Sequence, residues 1–238
     1  MKFVAALLEG YGPQLWAGTL QTVDLAFGSV ILAFILGLAG AAAKLSAYRF
    51  LYLPATLYTT LVRGVPDLVL MLLLYYSVQD LLNRITDALG QPQFDIDPFV
   101  AGISVLGFIY GAYFTETFRG AVLAVPRGQW EAAMAFGFAP SRAFYRVVFP
   151  QMMRFALPGI NNNWQVILKA TALVSLIGLH DVVRAAQDAA VATSAKGAYH
   201  AFFFLVVVAL IYLVLTTASS LGFRALEKRY SLGFGRTD

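Results

Sequence analysis

Long apolar runs alternate with short charged stretches along this chain, and the runs have the length of membrane spans. Crossing roughly 30 Å of hydrocarbon takes about 20 mostly apolar residues, and five segments qualify: 16–43, 65–82, 98–118, 156–179 and 198–220. Ahead of the short second segment, "RFLYLPATLYTTLV" has the mixed pattern of an amphipathic stretch lying at the interface, from which the chain turns inward at "RGVP". The pattern predicts an all-α integral membrane protein of five transmembrane helices, a single domain over residues 1–238.

Composition strengthens this reading. Hydrophobic residues make up 59% of the chain and charged residues only 13%, against about 25% charged in soluble domains; mean hydropathy is +0.70. A membrane domain of this size leaves no room for a second globular domain. With no cysteine, a disulfide framework and a Cys-based metal or redox site are excluded. The opening "MKFVAALLEGYGP" has an apolar run cut off by Glu9, too short for a cleavable signal, so the first hydrophobic helix is expected to serve as its own insertion signal. The net charge of +4 is modest, and no basic patch with interleaved aromatics points to nucleic acid.

The position of the charges is more informative. Asp80, Asp87, Asp95 and Asp97 face a single Arg84 between the second and third spans, whereas residues 119–154 hold five arginines and only Glu131. Lys44 and Arg49 mark the first connection, and Arg224, Lys228, Arg229 and Arg236 mark the tail. By the positive-inside rule the Asp-rich loop and the N-terminus are outside, and the C-terminus and the 119–154 loop are cytoplasmic. Within that loop, "EAAMAFGFAPSRAFYRVVFP" (131–150) reads as two short helices broken near Gly137 to Pro140. Ala132, Ala133, Ala135 and Gly137 would let another protein's surface approach closely, and Glu131 offers an anionic handle at the start of the first helix. The bland alternative is an interfacial helix with snorkelling arginines.

Ionisable groups inside spans are costly and are therefore functional candidates. Glu116 and Arg119, three apart on one helix face, suit an ion pair or gate near the cytoplasmic edge, or a substrate contact. Lys169 falls in the middle of the fourth span, where it is either paired within the bundle or lines a path and meets a substrate carboxylate. Asn161, Asn162 and Asn163 either tie helices together or touch solute, with Gln165 a further candidate. Asp67, four residues after Arg63, either neutralises that arginine where the second span enters from the cytoplasm or attracts a cation. Asp24 reads as interfacial, and His180 and His200 as polar surface residues rather than metal ligands. Gly28, Gly37 and Gly40 in the first span and Gly102, Gly107 and Gly111 in the third allow close helix approach of the kind a multi-subunit bundle needs.

The spacing of Glu131, Ala132, Ala133, then Gly137, then Val147, Phe149 and Pro150 resembles the cytoplasmic EAA loop of ABC importer permeases, whose usual ending is Ile-x-Leu-Pro. "RGVPDLVLMLLLYY" (63–76), "GFIYGAYFTETFRGAVLAVPRGQWEAAMAFGF" (107–138) and "MMRFALPGINNNWQVILKATALVSLIGLHDVVRAAQ" (152–187) are similar to the polar amino-acid branch of these permeases. The likeness runs toward the Q-type membrane subunits of histidine/lysine/arginine/ornithine permeases, with opine permeases next.

The resemblance implies the ABC type I importer permease fold in a bacterial cytoplasmic (inner) membrane. It implies an M-type second permease subunit, two copies of an ATP-binding subunit, and a periplasmic or extracellular amino-acid-binding protein. Glu131, Ala132, Ala133, Gly137 and Pro150 would then couple to the ATPase, and Asp67, Glu116, Asn161, Asn162, Asn163, Gln165 and Lys169 are candidates for the substrate path. ATP and Mg would be used by the partner, for this chain contains no G-x-x-x-x-G-K-[ST] loop and is expected to bind no cofactor. A self-sufficient secondary carrier would show two pseudo-symmetric halves, but five spans do not divide evenly and no internal repeat is visible. A membrane enzyme lacks any plausible catalytic constellation.

Overall fold

The computed structural model describes residues 2–193 and 199–231. Position 198, the expected start of the fifth span, lies outside the described residues, as do Arg236 and the side chain of His200. The described residues are helical with short connections: α1 (Lys2–Leu45), α2 (Arg49–Gly64), α3 (Asp67–Ala88), α4 (Pro98–Leu123), α5 (Arg127–Ala135), α6 (Pro140–Ala143), α7 (Phe149–Val174), α8 (Val182–Thr193) and α9 (Tyr199–Ser231). Four stretches among these residues are long and apolar enough to cross a membrane: Gly10–Leu45, Asp67–Ala88, Pro98–Leu123 and Phe202–Tyr230. The run Pro140–Ile177 passes the same test only together with α8, bent by 52° between them, and makes a fifth if that pair is one span.

Helix α4 is the centre of the bundle. Ile109, Tyr110, Ala112, Phe114 and Phe118 are all buried, and α4 packs on α1, α2, α3 and α7. Its contact with α1 depends on glycine. A Cβ placed at Gly28 would lie 2.6 Å from Ile103, and one at Gly107 would lie 2.6 Å from Leu32, so neither site accepts a larger side chain without moving the partner. The close helix approach expected of these small residues is found, and it is made within this chain. Pairing of Gly28 with Ile103, and of Gly40 with Thr115, makes α1 and α4 run parallel. Helix α7 runs the other way, with Val174 against Gly102 and Gly159 against Thr117.

The second segment departs from expectation. Helix α2 does not stand apart from the bundle: Ala55, Thr59 and Val62 are buried, the Tyr58 hydroxyl donates to the Phe108 carbonyl, and Phe50, Leu51 and Pro54 share a groove with Leu36, Gly40 and Ala43 of α1. The amphipathic pattern has a polar side that meets polar side chains of α1 and α4. Thr59, Thr60 and Arg63 border an open polar cleft shared with Lys44, Tyr113 and Glu116, while Phe50, Leu53, Leu57 and Leu61 are exposed.

The segment 131–150 is also built differently in its second half. Helix α5 starts at Arg127, which puts Glu131 in its middle rather than at its start. The helix closes in a Schellman motif, with Phe138 N–H donating to the Ala133 carbonyl and Gly137 N–H to Met134; Gly137 takes the φ of +80° that this ending requires. A helix resumes at Pro140 and passes through a π turn, Phe144–Val148, straight into α7. Pro150 explains the wide turn, because it lacks the N–H that would bond the Arg146 carbonyl and its ring crowds that oxygen.

Candidate functional site

A cavity of about 410 Å³ is lined by Lys44, Thr59, Thr60, Arg63, Gly64, Tyr113 and Glu116, where α1, α2 and α4 meet. Helix periodicity puts Tyr110, Tyr113 and Glu116 on one face of α4. Glu116 is held from both sides: Oε1 accepts from the Lys44 ammonium, and Oε2 from the Arg119 guanidinium at 2.9 Å. Lys44 also donates to Thr59 Oγ1 at 2.9 Å, and its side chain is only 10% exposed. The pair expected between Glu116 and Arg119 is therefore a triad, with Lys44 turned inward although the sequence marked it only as a flanking charge.

Asp67 is found elsewhere than expected. Its Oδ2 accepts from the Tyr110 hydroxyl at 2.8 Å and its Oδ1 from Tyr113 at 3.5 Å, and Tyr110 is at the midpoint of α4. Gln79, twelve residues further along α3, bonds the backbone of Phe94 and Ile96 just ahead of α4. Twelve residues span about 18 Å, so Asp67 lies well along the bundle rather than at the end where a span enters. No ion pair joins it to Arg63 among the described residues; the Arg63 guanidinium instead lies over the Tyr113 ring, 5.4 Å from its centre. The break at Gly64 to Pro66 turns the arginine toward the cavity and the aspartate toward the two tyrosines.

The candidates on α7 point in different directions. Asn163 is buried and donates to Thr117 Oγ1 at 3.1 Å, which ties α7 to α4. Gln165 reaches α9, donating to Ser219 and Ser220 at 3.0 Å each. Asn161 keeps its Oδ1 buried without a hydrogen-bond partner. Asn162 and Lys169 are exposed on the chain's own surface. Lys169 has no partner among the described residues, which removes the reading of an intrachain buried pair; a helix surface that looks internal in sequence faces out of the single chain.

In the 131–150 segment, Glu131, Ala132, Gly137 and Pro150 are exposed but Ala133 is buried against its own chain, so it offers no surface to a partner. Glu131 borders a 390 Å³ cleft with Leu45, Arg127, Trp130, Phe144 and Val148. Phe136, next to the Gly137 turn, is 86% exposed. Sequence reasoning passed over Tyr110 and Tyr113, although their i, i+3 spacing leading to Glu116 was a visible signal. It also passed over Asp181, which is fully buried just before α8, where its Oδ1 accepts from Arg184 N–H at 2.9 Å.

Residues 26–232 match the family described as binding-protein-dependent transport system inner membrane component. The chain is 58% identical over 232 residues to the histidine/lysine/arginine/ornithine transport system permease protein HisQ of Salmonella typhimurium, covering 98% of this chain and all of the relative. It is 37% identical to the octopine transport system permease protein OccQ of Rhizobium radiobacter, over 96% of this chain and 97% of that protein. Among solved structures, an amino acid ABC transporter with histidines aligns with a TM-score of 0.76 and 32% identity, over 93% of this chain and 96% of that one. The MetNI methionine ABC transporter aligns with a TM-score of 0.65 at 17% identity, over 89% and 95% of the two chains, a likeness of fold. Sequence and fold agree throughout the length of the chain: it belongs to the family of inner membrane components of binding-protein-dependent transport systems.

Proposed function

We propose that this chain is the Q-type permease subunit of an ATP-driven ABC importer for basic amino acids: histidine, lysine, arginine and ornithine. The observation that carries this reading is the 58% identity to a histidine/lysine/arginine/ornithine permease across essentially the whole chain. The chain crosses the inner membrane five times, α2 and α3 together making the second crossing and the bent α7–α8 pair the fourth. Its N-terminus is outside and its C-terminus inside. An M-type subunit pairs with it, two copies of an ATPase subunit supply the energy, and an external binding protein delivers the amino acid. Opines are the second reading, favoured by the 37% identity to an octopine permease.

Glu131 to Pro150 is the ATPase contact. The exposed Phe136 beside the fixed Gly137 turn gives the segment a rigid apolar tip, and the unbroken helical run from Pro140 into α7 links that tip to the membrane region. In the substrate path we place Asp67, whose carboxylate faces Tyr110 and Tyr113 and suits a cationic group, together with the exposed Asn162 and Lys169. Asn161 borders the path, Asn163 and Gln165 hold its wall, and Glu116 serves as part of an inner ion-pair gate. The coupling role is tested by substrate-stimulated ATP hydrolysis of the assembled complex. Glu131→Lys and Gly137→Asp should lower it severalfold, and unchanged stimulation in both variants would remove the segment from coupling.

A further inference from the structure

The charges around the α1–α2–α4 cavity do not balance, and the imbalance selects a ligand. Lys44, Arg63 and Glu116 line it. Glu116 already faces two cations, Lys44 and Arg119, so its negative charge is offset before any cationic substrate arrives. Lys44 is committed to Glu116 and Thr59. Arg63 is the cavity cation with no carboxylate partner among the described residues, and its guanidinium carbon lies 5.4 Å from the centre of the Tyr113 ring. A guanidinium over an aromatic face keeps its N–H edge available for the bidentate recognition of a carboxylate. Tyr113 joins the two halves of the arrangement: its ring carries Arg63 and its hydroxyl reaches Asp67. Asp67 is not part of the cavity lining but shares Tyr113 with Arg63, and receptors of opposite charge linked in this way match an amino acid, which carries a carboxylate beside its ammonium groups.

We infer that Arg63, supported by Tyr113, receives the α-carboxylate of the transported amino acid in this cavity, while Asp67 receives a cationic group. The inference rests on the amino-acid importer reading and adds a specificity determinant to it. Arg63 therefore distinguishes an amino acid from the corresponding amine.

The test uses the whole transporter complex in nanodiscs without the binding protein, with arginine and agmatine, which differ only by the carboxylate, compared by equilibrium binding. The wild-type complex should favour arginine by about tenfold or more. Arg63→Met should reduce that preference to within about threefold while leaving agmatine affinity unchanged, a pattern that a general loss of structure does not produce. Tyr113→Phe keeps the ring and should keep the carboxylate preference while weakening both ligands. Retention of the wild-type preference in Arg63→Met would overturn the role of Arg63 without touching the importer reading, as would equal binding of the two ligands by the wild type. Absence of amino-acid uptake when the binding protein and ATP are restored would overturn both.

Discussion

Removing Lys44 tests how the inner triad holds α1 to α4. The side chains of Lys44 and Glu116 are 10% and 18% exposed, whereas Arg119 is 35% exposed, so the two contacts of Glu116 have different screening. At an effective dielectric of about 20, unit charges about 4 Å apart attract by about 4 kcal/mol, and desolvation of both groups removes much of that. A coupling of about 1.5–2 kcal/mol is expected for Lys44 with Glu116, against about 0.5 kcal/mol for the more exposed, local Arg119 contact. Glu116→Gln should be the most damaging single change, at about 3 kcal/mol, because it leaves a buried ammonium without its counter-charge. Lys44→Met should cost less, since Arg119 still neutralises Glu116, and Arg119→Met least. The double variant Lys44→Met/Glu116→Gln should be more stable than the sum of the singles requires. Unfolding free energies of the purified complex from detergent titration provide the cycle. Additive losses, or an Arg119→Met loss equal to that of Lys44→Met, would refute this account of the triad.

Other consequences can be measured on the same preparation. Gly107→Val should lower stability by about 1–3 kcal/mol, since its first carbon alone would press on Leu32; wild-type stability would show that α1 and α4 are not in close contact. Gly137→Ala should cost about 1 kcal/mol through its φ of +80°, with faster amide exchange confined to α5 and the following turn. Asp181→Asn keeps the acceptor for Arg184 N–H and should change the melting temperature little, whereas Asp181→Ala loses the cap and about 1 kcal/mol; equal effects would show that the charge rather than the cap matters. Lys169→Met, if it assembles normally, should slow uptake, and an unchanged rate for every amino acid would remove Lys169 from the path.

The sequence reading and the structure differ in instructive places. Apolar length announced α1, α3, α4 and α9 because hydrocarbon demands uninterrupted runs, and Gly137 announced the end of α5 because few residues other than glycine take a positive φ. The placement of α2 was not legible: a helix with a polar face against polar side chains of neighbouring helices has the same periodicity as one lying on a membrane surface. Asp67 and Arg63, four apart, suggested a local pair, but the Gly64 to Pro66 break between α2 and α3 sends them to different neighbours. Lys44 looked like a topology signal only, for its partner is 72 residues away. Lys169 illustrates the reverse case, in which span depth suggested burial but the side chain faces out of the chain.

The central claim is that this chain moves amino acids only as one part of an ATP-driven assembly. Uptake of radiolabelled arginine into proteoliposomes, with each component omitted in turn, tests it most directly. The account predicts concentrative uptake that requires the binding protein, the partner permease, the ATPase and ATP together with this chain. Uptake by this chain alone, or uptake by the full assembly that does not depend on ATP, would contradict it.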